Sequence, residues 1–134
     1  METKNFNTHP VPSSIEPWLS VRNGAEAVNF YKAAFGATET YRMEDPGGGL
    51  VVKFSVDGAG FWISAEAGNE DAVIAKDGQV KMIITVTDPD TLFARVLKVG
   101  ASEVFPVGEA YGWRLGRLVD LFGHHWEIGR PLTK

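Results

Sequence analysis

Cysteine is absent from the 134-residue chain, which removes disulfide staples, thiolate metal sites and cysteine nucleophiles together. Positive charge is scarce and scattered: 13 Lys and Arg face 17 Asp and Glu, leaving a formal net charge of −4. Nucleic-acid phosphates are gripped by clustered cations, so this balance argues against such a partner. No apolar run approaches the roughly 20 residues that span a bilayer, so no membrane association is expected. Residues 1–14 lack an apolar stretch and include Pro10 and Pro12. They are expected to form a flexible N-terminal tail rather than a signal peptide. A chain without cysteine also fits a reducing, cytoplasmic setting.

What is present is enough for a core. Apolar residues make up 44% of the chain, and a domain of this size buries roughly 70% of its unfolded surface. Ile15 to Val21 alternates in the two-residue period of a half-buried strand, with Glu16, Trp18 and Ser20 on one face and Leu19 and Val21 on the other. Asn23 is placed to cap a helix over Ala25–Phe35, whose Ala27, Val28, Tyr31, Ala34 and Phe35 recur at helical spacing, and Gly36 stops it. Strands are expected at Thr38–Met43, Leu50–Val56 and Phe61–Ser64, the last two joined at Asp57-Gly58. Gly47-Gly48-Gly49 has no Lys-Ser/Thr and helix after it, so it reads as a hairpin tip, not a phosphate loop.

The same order then recurs. Val80–Val86 alternates, with Met82, Ile84 and Val86 opposite Lys81, Ile83 and Thr85; Thr87 or Asp88 caps a helix with Pro89 in its first turn, and Gly100 ends it. Strands at Ser102–Phe105, Trp113–Asp120 and His125–Ile128 complete the second pass. Gly36-Ala37-Thr38-Glu39 returns 64 residues later as Gly100-Ala101-Ser102-Glu103, and the Asp57/Gly60 pair returns 63 residues later as Asp120/Gly123. The chain is therefore expected to be one α+β domain over 15–134, made of βαβββ modules at 15–66 and 80–130 joined by a linker, 67–79.

Two blocks carry a family resemblance. Ala27-Val28-Asn29-Phe30-Tyr31-Lys32-Ala33-Ala34-Phe35-Gly36-Ala37 and Tyr111-Gly112-Trp113-Arg114-Leu115-Gly116-Arg117-Leu118-Val119-Asp120-Leu121-Phe122-Gly123-His124-His125-Trp126 resemble motifs of the vicinal-oxygen-chelate superfamily (glyoxalase, bleomycin resistance and dioxygenase proteins), in particular its PhnB-like branch. Leu121 departs from that branch, which has proline there. The resemblance implies curved mixed sheets that form a cup with the helices outside, and a homodimer whose cups lie within or between chains. It also implies that metal-dependent members draw ligands from the first and last strand of each module. Those positions map to Glu16 and to Ile63 or Ser64 in the first module, and to Lys81 and Glu127 in the second.

That set is poor for a divalent ion, which wants three or four lone-pair donors. A protonated lysine cannot ligate, and bringing its pKa from about 10.4 to 7 costs about 4–5 kcal/mol. The expectation is a metal-free site in which Lys81 ion-pairs with Glu16 or Glu127. The alternative is Zn, Ni or Mn held by Glu16 and Glu127 with His125, which shares the Glu127 face. Trp18 with Trp113 is expected to wall a pocket, and Arg114 to meet an anion, so the candidate ligand-binding set is Glu16, Trp18, Lys81, Trp113, Arg114, His125 and Glu127. His124 points to the opposite face from His125 and reads as a turn-closing side chain. Three functions follow: a binder of a small, partly apolar molecule, a metal-dependent lyase, isomerase or dioxygenase, and a dimeric non-catalytic module. The first is preferred, because the cup keeps aromatics and charges but lacks ligand donors.

Overall fold

The computed structural model describes residues 14–67 and 80–132; the remaining parts of the expected tail and linker, and His9, lie outside them. The elements run β1 (Trp18–Ser20), α1 (Gly24–Phe35), β2 (Thr38–Glu44), β3 (Leu50–Val56), β4 (Ala59–Ala65), β5 (Lys81–Thr85), α2 (Pro89–Lys98), β6 (Ser102–Ala110), β7 (Trp113–Val119) and β8 (His125–Pro131). They form two four-stranded sheets of the same topology, ordered β1-β4-β3-β2 and β5-β8-β7-β6. In each, the first strand runs parallel to the last and the other pairs are antiparallel. This is the expected α+β fold of two βαβββ modules.

Local chemistry explains most boundaries. The Asn23 side chain accepts from the Glu26 amide at 3.0 Å, and Gly36 closes α1 with φ +67°. Asp88, the second of the two cap candidates, accepts from the Thr91 amide at 3.2 Å and starts α2 ahead of Pro89. Strand β6 runs on past the expected end at Phe105 and through Pro106. It lies at a sheet edge and changes register twice, and an edge strand tolerates a residue that cannot donate. Strand β1 is shorter than the alternation implies, although its ladder continues through Trp62 N to Pro17 O and Val21 N to Ser64 O, both 2.9 Å.

One core serves both modules. Each sheet covers one face with helix, and the apolar residues of those faces, among them Leu19, Phe54, Phe61 and Ile63 from the first sheet and Met82, Leu118, Trp126 and Ile128 from the second, form a single cluster. Tyr31, on α1, contacts rings from both sheets: Phe54 and Phe61 of the first, Trp126 of the second. Its hydroxyl donates to Asp120 Oδ2 at 2.5 Å, and Trp126 Nε1 donates to the same oxygen at 2.9 Å. The amides of Phe122 and His124 donate to Oδ1 at 2.8 and 3.0 Å. Asp120 is only 5% exposed, and this many donors offset the cost of burying a carboxylate. Burial, then the adjacent carboxylate, pushes the Tyr31 hydroxyl well above its usual pKa, so it stays a donor. Further cross-module bonds run from Arg22 Nη1 to Leu121 O at 2.7 Å and from Arg95 Nε to Ala33 O at 2.9 Å. His124 does not simply close its turn. Its Nε2 lies 2.8 Å from Ser20 O, tying that turn to β1.

Because the helix-covered faces share this core, the two uncovered faces are turned away from each other. Tyr31→Phe removes one of the donors that knit the halves. It should lower the unfolding free energy by about 1–3 kcal/mol in urea titrations; an unchanged midpoint would show that Asp120 is satisfied without α1.

Candidate functional site

The uncovered face of the first sheet carries an aromatic shelf. Register places Tyr41, Lys53, Trp62 and Trp18 in one row across β2, β3, β4 and β1. Trp18 stacks on Trp62 with centroids 5.8 Å apart and planes 19° from parallel, and Tyr41 leans on the other side of Trp62 at 5.6 Å. Lys53 Nζ sits 5.5 Å from the Trp62 centroid, within cation–π range. Glu16 fixes the arrangement: its Oε1 accepts from Trp62 Nε1 at 2.8 Å and its Oε2 pairs with Lys53 Nζ at 3.1 Å. Trp18 Nε1 donates to Ser64 Oγ at 2.9 Å. Gly60 makes this possible, since a Cβ there would come within 2.7 Å of Glu16 Oε2. The hydrogen bond from Trp62, then that from Lys53, holds the Glu16 carboxyl below its usual range.

The uncovered face of the second sheet carries a matching latch with the partners exchanged. Lys81 Nζ donates to Glu127 Oε2 at 2.9 Å, which is one of the two ion pairs expected for this lysine. Arg117 Nη2 donates to the same oxygen at 3.1 Å, and its guanidinium lies over Phe105, 5.9 Å from the centroid. Burial alone raises the Glu127 pKa, but hydrogen bonds and charge from Lys81, then Arg117, outweigh it and keep the carboxyl low. Glu16 reaches Trp62 and Lys81 reaches Glu127 over the same sequence separation, 46 residues. The two halves therefore use corresponding positions, with the carboxylate on the first strand in one and on the last strand in the other.

The other expected residues divide. His125 sits beside Lys81 in register and shares the Glu127 face. Trp113 lies on that face too, opposite Pro131. It does not meet Trp18, whose stacking partner is Trp62. Arg114 is not in the cup. Adjacent strand residues alternate sides, and Arg114 falls on the helix-covered side, where Nε and Nη2 clamp the two Asp90 oxygens at 2.7 and 2.6 Å. Ile63 points into the core with no exposed surface, so the last-strand position of the first module is filled by Trp62 and Ser64. Trp62, Lys53, Tyr41 and Arg117 are the site residues that the sequence reading did not single out. Phe61 and Ile63 are both core residues, and that alternation alone puts Trp62 on the Glu16 face.

An open groove of about 980 Å3 runs between the edges of the sheets. Glu16 and Lys81 both line it, as do Ile15, Phe61, Val80 and Trp126. Neither charged residue bonds across it: each is held within its own sheet. The donor set does not fit a divalent metal ion. Both Glu16 oxygens are engaged by N–H donors, and Glu127 lies between two cations that repel a metal. No group of three or more His, Asp or Glu side chains among the described residues is arranged to hold one.

A model of the glyoxalase-like domain matches residues 18–129. The chain belongs to the glyoxalase-like family, within the vicinal-oxygen-chelate superfamily. An uncharacterized protein of Mycobacterium tuberculosis is 32% identical over 141 aligned positions, covering 99% of this chain and 81% of that one. TioX from Micromonospora sp. ML1 superposes with a TM-score of 0.68 at 26% identity over 90% of this chain and 100% of that chain. A glyoxylase/bleomycin resistance protein/dioxygenase domain from Frankia sp. EAN1pec gives 0.75 at 16% identity over 91% and 99%, a likeness of fold alone. No helix among the described residues of this family member is long and apolar enough to cross a membrane.

Both latch carboxylates have lowered folded pKa values, so the stability they contribute is present above the usual glutamate pKa of about 4.3 and is lost as pH falls through the lower folded values. Acid titration followed by tryptophan fluorescence should show a transition below about pH 4.3 as Trp62 loses its acceptor. Glu16→Gln should remove that component; an identical titration curve would show that the latch does not set the indole.

Proposed function

We propose that this glyoxalase-like protein binds a small, partly apolar molecule without a metal, in a cup that two copies of the chain assemble together. The observation that carries the reading is the shelf of Tyr41, Trp62 and Trp18. It is a preorganised aromatic surface on a sheet face without helix, with Trp18 55% and Tyr41 47% exposed. Two exposed aromatic rings stacked on a half-buried third are an apolar patch that something is expected to cover, and rings held by Glu16 and Ser64 bind a flat ligand with little ordering cost. The metal-dependent lyase, isomerase or dioxygenase reading is disfavoured by the engaged carboxylates. The two sequence blocks favour the PhnB-like branch of the superfamily, and the lack of cysteine favours a cytoplasmic protein.

The second copy is supported by the edges. Strands β1 and β5 lie at the ends of their sheets, and no strand among the described residues pairs with their outer sides. Ile15 is fully exposed, Val80 73% and Ile83 60%, all on the rim of the groove between those edges. A two-fold pairing that brings β1 of one copy to β5 of the other buries these residues. It also sets the shelf of one chain opposite the Lys81, Glu127 and Arg117 face of its partner.

Light scattering should give twice the chain mass; a monomer at ~100 µM contradicts the assembly. A neutral planar probe, 2-naphthamide, should quench tryptophan fluorescence saturably, and Trp62→Ala should weaken its binding about tenfold, the scale of a lost aromatic stack and its buried area. Unchanged affinity in Trp62→Ala would remove the shelf as the binding surface.

A further inference from the structure

The uncovered face of the second sheet holds more cation than anion. One row across it reads Ile83, Glu127, Arg117 and Phe105, and the next begins with Lys81 and His125. Lys81 and Arg117 both donate to one atom, Glu127 Oε2. A single carboxylate therefore answers two cations, and Glu127 is ionised at neutral pH, so a surplus positive charge remains. It does so in a chain whose net charge is −4, so the surplus is a local feature and not the background of the surface.

Donor capacity is left over as well. An ammonium carries three N–H donors and a guanidinium five, and only one of each is spent on Glu127. Arg117 Nε is buried with no hydrogen-bond partner, and the Phe105 ring fixes the plane of the guanidinium. The Lys81 side chain is 40% exposed at the rim of the groove. On the other side of the Arg117 row, Gly108 and Gly129 flank Leu115 in register, so of these three positions only Leu115 presents a side chain. A pair of half-buried cations flanked in register by Ile83, Phe105 and Leu115 suits an anionic group attached to an apolar body.

Resting on the two-copy cup described above, we propose that Lys81 and Arg117 form an anion site, and that the ligand is a planar aromatic molecule bearing a carboxylate or phosphoryl group. Its ring lies on the Trp18–Trp62 shelf of one copy and its anion meets the two cations of the other. Glu127 is the counter-ion that keeps the cations side by side in the free protein. It also limits anion affinity by repulsion, which distinguishes it from a residue that only contacts the ligand.

Calorimetry on the full chain with 2-naphthoate, 2-naphthyl phosphate and neutral 2-naphthamide tests this. Both anions should bind tenfold or more tighter than the amide, with the gap shrinking as salt is added; whichever anion binds tighter identifies the headgroup. Arg117→Met and Lys81→Met should each reduce the anion-to-amide ratio severalfold. Glu127→Gln should raise the anion-to-amide ratio severalfold, an effect that a purely structural role does not produce. Equal binding of amide and anions, or a ratio that none of the three variants alters, overturns the anion site and leaves the aromatic shelf standing. Binding of none of the probes at millimolar concentration overturns both.

Discussion

The arrangement of this protein depends on one buried carboxylate. Asp120 collects the Tyr31 hydroxyl from the first module, together with the Trp126 indole and two turn amides from the second. A carboxylate taken out of water is costly unless its lone pairs are filled, and no single module supplies all of these donors. The halves are thus held with their helix-covered faces against one core. Ring contacts centred on Tyr31 and on Phe35 with Trp126, 4.6 Å apart, complete the packing around it.

That constraint determines what the remaining faces can do. With the helix sides consumed by the core, each sheet offers its other side to the outside. At the positions where metal-dependent relatives are expected to place ligands, each module builds a cross-strand latch instead. An indole and an ammonium satisfy Glu16, and an ammonium and a guanidinium satisfy Glu127. The first latch is electrically balanced and organises aromatic rings. The second carries surplus positive charge. The two faces thus differ in character, one an aromatic platform and the other carrying surplus positive charge, and the proposed ligand site draws on both.

Much of the fold was legible because its signals are local and repeated. Alternation over β1 and β5, the Asn23 and Asp88 caps, the Gly36 stop and the recurrence of the Gly-Ala-Thr/Ser-Glu block all state the same architecture. The site was legible only in part. Glu16, Lys81 and Glu127 follow from alternation, since polar residues on a strand otherwise made of core positions must face away from the core. Trp62 gives no distinct signal because large aromatics read as core, although its neighbours Phe61 and Ile63 already occupy that side. The side that Arg114 faces is not legible locally, because the segment after Gly112 carries no apolar alternation strong enough to fix its phase. Arg114 and Arg117 differ by an odd number of residues, and only pairing with β8 decides which of them joins Glu127. No local pattern states that the two uncovered faces point apart, because that follows from long-range bonds such as Tyr31 to Asp120.

The claim that each cup draws one face from each of two chains is tested most directly by mixing two defective variants. Trp62→Ala damages the shelf and Arg117→Met damages the charged face, so each variant alone binds 2-naphthoate weakly. If cups form between chains, co-refolding the two variants creates mixed dimers in which one cup receives both intact faces, and tight binding returns in part. If each cup forms within one chain, every cup keeps a defect, and a mixture that binds no better than its components would contradict the account.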